Sequence, residues 1–130
     1  MIFLDANFLV SYYLHTEEHH ERALEIDEEI GNNERIISRS VIAETINVLN
    51  NKLKIDKETI EIIYKKLIED YSMIEDQFFY NKAVKKLISY EKRLPFFDFL
   101  YIALMEELRI EKIATFDKHF NNIEGITTVN

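Results

Sequence analysis

Five short apolar runs, "MIFL", "RIIS", "SMI", "KIATF" and "GITTV", recur along the chain, and stretches of helical pattern separate the first four. Strands of this length cannot bury themselves alone, and the residues between them are too many for hairpins. Strand alternating with helix is the pattern of a parallel sheet covered by helices on both faces. With only two glycines and one proline, helix dominates and the linkers are short. The expected fold is α/β: a single domain over residues 1–130, with a central, mainly parallel sheet of four to five short strands flanked by helices.

Local signals place the helices. A helical pattern follows "MIFL" through "NFLVSYYL". In "TEEHHERALEIDEEIGNN", Thr16 reads as the N-cap, Glu17 and Glu18 as the first turn and Gly31 as the C-terminal stop. Ser40 reads as the cap of "VIAETINVLNNKL", with an apolar stripe at Val41, Ile42, Ile46, Leu49 and Leu53. Asp56 and Asp76 take the same role for "KETIEIIYKKLIEDY" and "QFFYNKAVKKLISYEKR". Leu94 and Pro95 break the pattern before "FFDFLYIALMEEL", and "DKHFNN" reads as a loop or short helical turn.

Composition narrows the chemistry. The chain has no cysteine, so disulfides, thiolate nucleophiles, zinc-thiolate sites and iron-sulfur clusters are excluded, and any metal is held by oxygen or imidazole. No stretch approaches the roughly 20 uncharged residues of a membrane span, and the first residues lack the basic region of a signal peptide, so a cytoplasmic protein is expected. A formal net charge of -8 argues against coating nucleic acid by bulk electrostatics. It leaves room for a nuclease whose carboxylates load cations, or for a basic partner docked on the acidic surface.

In a parallel α/β sheet, the ends of the strands and the starts of the following helices share one edge. Asp5 directly follows "MIFL" and Asp117 follows "KIATF", while Glu44 falls in about the first turn after Ser40 and Asp98 in the first turn after Pro95. Singly, each has a structural explanation as a cap or a partner of the helix dipole. Together they bring four carboxylates to one edge, where mutual repulsion requires protons or a cation. Mg²⁺ or Mn²⁺ is the economical answer, since such ions take oxygen ligands and leave positions for phosphate oxygens and water, which suits phosphodiester hydrolysis. Asn7 is either a helix cap or a donor to phosphate or water. Thr115, two residues before Asp117, is placed to orient that carboxylate or a water.

The order of "LDAN", "SVIAET", "PFFDFLYIALMEEL" and "IATFDKHF" followed by "GITTV" resembles the PIN-domain nucleases over almost the whole chain, particularly the VapC-type toxins of prokaryotic toxin-antitoxin pairs. The resemblance implies a Mg²⁺- or Mn²⁺-dependent endoribonuclease that leaves a 5′-phosphate and a 3′-hydroxyl. Asp5, Glu44, Asp98 and Asp117 match that family's acidic positions, and Asn7 and Thr115 its polar ones. Ala6 departs from a frequent threonine or serine, and Phe97 precedes the third acid. The resemblance further implies a homodimer, an RNA substrate and an antitoxin whose C-terminal segment wraps the toxin and places a basic side chain in the acidic pocket.

Other features read as structural. His15 and His19 have the i, i+4 spacing of a helical chelate, yet their charged neighbours point to solvent, and His119, near Asp117, reads as a surface histidine or as a group within reach of substrate. Arg39 and Lys118 are the cations nearest the proposed edge. Phe8, Tyr12 and Tyr13 read as core or, where exposed, as interface. Two competing functions remain: a non-catalytic or RNA-processing PIN module, and a phosphatase with Asp5 as nucleophile. Haloacid-dehalogenase phosphatases also start with a strand and an aspartate, but carry a second aspartate where Asn7 stands.

Overall fold

The computed structural model describes residues 1–130. Five strands, β1 (Ile2–Leu4), β2 (Arg35–Ser38), β3 (Ser72–Ile74), β4 (Lys112–Ala114) and β5 (Thr127–Val129), form one sheet in the order β3-β2-β1-β4-β5. Every pairing is parallel. The central strand β1 is buried along its length, as "IFL" requires when helices cover both faces. From β1 the chain steps outward to β2 and β3, then returns to the other side of β1 as β4. The switch point therefore lies between β1 and β4, where such sheets open a crevice at the strand ends.

Six α-helices cover the sheet: α1 (Ala6–Tyr13), α2 (His20–Ile30), α3 (Arg39–Asn47), α4 (Lys57–Glu69), α5 (Tyr80–Ser89) and α6 (Phe96–Leu108). Helix α6 is apolar nearly all round and is buried from Asp98 to Met105, which makes it the central helix of one layer. A single core joins Phe3, Leu9, Ile26, Ile37, Leu67, Leu100 and Phe120. No helix is long and apolar enough to cross a membrane.

Several helix starts differ from expectation. Helix α2 begins at His20, not after Thr16, because residues 15–19 form turns; the i, i+4 histidine chelate on one helix therefore does not form. Gly31 does end α2, at φ 57°, where a side chain would be strained. Helix α3 is capped by Ser38, whose hydroxyl accepts from the Val41 N–H, not by Ser40. Asp76 heads only a short 3₁₀ turn (Asp76–Phe79) before α5, and its buried carboxylate accepts from the Ser40 N–H at 3.0 Å. Thus it serves α3, across the sheet edge. Asp56 caps α4 as expected, accepting from the Thr59 N–H. After α3 the coil widens into a π-helical turn, Val48–Lys52, in place of continued α-helix.

Candidate metal centre

The parallel pairing sets Leu4 beside Ala114, and the Asp5 N–H extends it by donating to the Ala114 carbonyl at 3.0 Å. The two chains thus leave the sheet side by side. Asp5 caps α1 through Oδ1, which accepts from the Ala6 N–H at 2.8 Å, and its Oδ2 accepts from the Thr115 hydroxyl at 2.8 Å. Burial pushes the Asp5 carboxyl above its ordinary pKa, opposed by these donors. The fully buried Thr115 hydroxyl also accepts from the Asp117 N–H at 3.0 Å, so one oxygen orients both acids. Asn7 is not the cap of α1. Its amide braces the β4 exit, with Oδ1 accepting from the Phe116 N–H at 2.9 Å and Nδ2 donating to Thr115 and Asp5.

The other two acids come from helices. Asp98, in the first turn of α6, is only 7% exposed, and burial raises its carboxyl to about 6. Glu44 lies in the second turn of α3, since that helix starts before Ser40. It is half-buried, and burial, helped by the nearby Asp5, Asp98 and Asp117 charges, raises its carboxyl to about 7. The Tyr101 hydroxyl donates to Glu44 Oε1. Tyr101 is one helical turn past Asp98, so a single face of α6 supplies an acid and the donor that holds another. Neither composition nor periodicity marked Tyr101, because α6 is apolar on every side.

His119 is exposed, as expected of a surface histidine, yet it reaches two of the acids. It stands on the 3₁₀ turn Lys118–Phe120, with Nδ1 2.7 Å from Asp98 Oδ2 and 3.1 Å from Asp117 Oδ2. Its backbone N–H donates to Asp117 Oδ1 at 2.9 Å. The spacing Asp-x-His in "FDKHF" was the available signal. One cavity of about 270 Å³ is bounded by Asp5, Asn7, Glu44, Asp98 and Asp117, with Lys52 as the single lysine or arginine on its wall. Arg39 instead pairs with Glu75 on the exposed surface. The His19 ring stacks on Phe116 at the same cavity, with centroids 4.4 Å apart. Phe8 is core, and Tyr12 and Tyr13 are half-buried.

The donor set fits a hard divalent cation. Carboxylate oxygens and one imidazole converge and cysteine is absent, while burial first, and the neighbouring carboxylates second, raise the pKa of Asp5, Glu44 and Asp98. Asp98, Asp117 and His119 each offer a ligand atom within 4.8 Å of the others.

The fold has counterparts among solved structures. The structure is similar to that of VapC20 from Mycobacterium tuberculosis, a sarcin-ricin loop cleaving toxin, with a TM-score of 0.82 and 17% identity over 92% of each chain. It is also similar to VapBC2 from Rickettsia felis, solved bound to a DNA fragment from its promoter: TM-score 0.70, 19% identity, 100% of this chain and 98% of that one. FitAcB from Neisseria gonorrhoeae aligns with a TM-score of 0.69 at 15% identity over 100% of this chain and 97% of the other. At these identities the likeness establishes the fold. No curated protein matches the chain in sequence. The PIN-domain family model matches residues 2–126, nearly the whole chain, and with the switch-point carboxylates in place the protein belongs to the PIN-domain family.

Proposed function

We propose that this chain is a divalent-cation-dependent endoribonuclease, the toxin of a toxin-antitoxin pair. The observation that carries the reading is the convergence of Asp5, Glu44, Asp98 and Asp117, from four separate segments, on one cavity. Asp5, Asp98 and Asp117, with Glu44 beside them, would hold Mg²⁺ or Mn²⁺. When bound, that ion supplies Lewis acidity toward phosphate oxygens and water.

The chain's own groups do the rest. Thr115 and Asn7 fix Asp5 and the start of the Asp117 loop, so the ligand atoms are set before substrate arrives. Glu44, ionised once a cation occupies the site and held by the Tyr101 hydroxyl, suits accepting a proton from an attacking water. Attack at phosphorus breaks the bond to the 3′ oxygen and leaves a 5′-phosphate and a 3′-hydroxyl. Lys52 on the cavity wall is placed to meet a phosphate that the acidic surface otherwise repels. An aspartate-nucleophile phosphatase fits less well, because Asn7 stands where that reading needs a second aspartate, and its amide braces the β4 exit instead.

The likeness to VapC20 and VapBC2 supports a toxin role and a protein antitoxin as partner, and the net charge of -8 favours a basic docking segment. We further propose that the chain works as a homodimer in the cytoplasm. The reading is tested by incubating the purified protein with RNA and Mn²⁺ or Mg²⁺. Wild type cleaves, while Asp5→Asn and Asp98→Asn each lose on the order of 100-fold or more. Undiminished cleavage by both variants overturns the reading.

A further inference from the structure

We propose that His119 is a nitrogen ligand of the catalytic cation, which turns this site from a general Mg²⁺ site into one that prefers Mn²⁺. The inference rests on the metal-dependent reading above and deepens it. Three observations carry it. First, the imidazole is aimed at the acids: Nδ1 lies 2.7 Å from Asp98 Oδ2 and 3.1 Å from Asp117 Oδ2, and these are its only polar side-chain partners. Second, the ring is held there by its own turn. The His119 N–H is bonded to Asp117 Oδ1, and the adjacent Phe120 is fully buried in the core. Third, Asp98, Asp117 and His119 each present a ligand atom within 4.8 Å of the others, although Asp98 comes from α6 and the other two from the segment after β4.

The chemical consequence follows from ligand preference. Mg²⁺ favours oxygen and gives up water reluctantly, whereas Mn²⁺, although the weakest binder of the Irving–Williams series, is a transition-metal ion that gives up water more readily and accepts an imidazole nitrogen beside oxygen ligands. An all-oxygen version of the same site would discriminate less between the two ions.

The experiment titrates Mn²⁺ and Mg²⁺ separately into the full chain and into His119→Ala and His119→Gln, near neutral pH, by calorimetry. Spin-echo spectroscopy of the Mn²⁺ complex looks for a directly coordinated ¹⁴N. Wild type is expected to show the nitrogen signal, and His119→Ala to lose it together with Mn²⁺ affinity on the order of tenfold, with Mg²⁺ affinity much less affected. His119→Gln keeps an oxygen donor but no nitrogen, so it too loses the signal and the preference. Absence of the nitrogen signal in wild type, an equal change for both ions, or tighter binding of both in His119→Ala overturns the inference while leaving the functional reading intact. If wild type binds neither ion, both fall.

Discussion

Thr115 shows how much of the site depends on one small side chain. Its hydroxyl donates to Asp5, accepts from the Asp117 N–H and meets Asn7, and it is fully buried. Thr115→Val keeps the shape and removes the hydroxyl, leaving the Asp5 carboxylate short of a donor and the Asp117 N–H without its acceptor. We expect a loss of about 1–3 kcal/mol in denaturant unfolding and weaker Mn²⁺ binding, with Thr115→Ser restoring both. At this scale the sequence reveals Asp5, Asp98 and Asp117, because an acid at a strand end or a helix start keeps its place whatever the details of packing, while Glu44 sits one turn deeper in α3 than expected and still faces the same cavity. His119 and Tyr101 were not legible in the same way. The reach of His119 depends on the 3₁₀ turn that folds it back over Asp98, and Tyr101 sits in a helix with no polar face to set it apart.

Among the elements, the start of α3 positions Glu44, and two acceptors from different segments hold it. Ser38 accepts from the Val41 N–H at 3.4 Å and Asp76 from the Ser40 N–H at 3.0 Å. Asp76→Ala removes a buried acceptor and should cost about 1–3 kcal/mol in stability, whereas Asp76→Asn, which retains an oxygen, should cost less. Ser40→Ala should change little, since the Ser40 contribution is its backbone N–H. Equal losses for the Asp76 and Ser40 variants in urea unfolding would contradict this arrangement. All five strands were legible from short apolar runs, and so was their mainly parallel orientation, whereas their order in the sheet was not. The caps were not: Ser38 and Ser40 read alike in sequence, and the choice between them depends on where β2 stops and on Asp76 approaching from the 3₁₀ turn after β3. The π-helical turn that carries Lys52 to the cavity wall is equally invisible, because a widened turn leaves the apolar stripe almost unchanged.

For the whole molecule, the sheet order concentrates negative charge at one edge, and folding alone does not neutralise it. Glu44 rises from 4.5 to about 7 and Asp98 from 3.8 to about 6, so the metal-free folded state holds more protons than the unfolded chain between about pH 4 and pH 7. Stability therefore falls as pH rises through that window, and the penalty is full above it. A cation bound to the ionised carboxylates reverses the sign, because it binds the folded state in the deprotonated form and displaces those protons. The most direct test is the thermal midpoint of the full chain at about pH 8, followed through a Mn²⁺ titration. Concentrations about 100-fold above the dissociation constant should add ~2.7 kcal/mol, on the order of 10 °C for a domain of this size, and Glu44→Gln with Asp98→Asn should abolish the rise. A midpoint that does not move with Mn²⁺ would contradict the assignment of these carboxylates to a cation site.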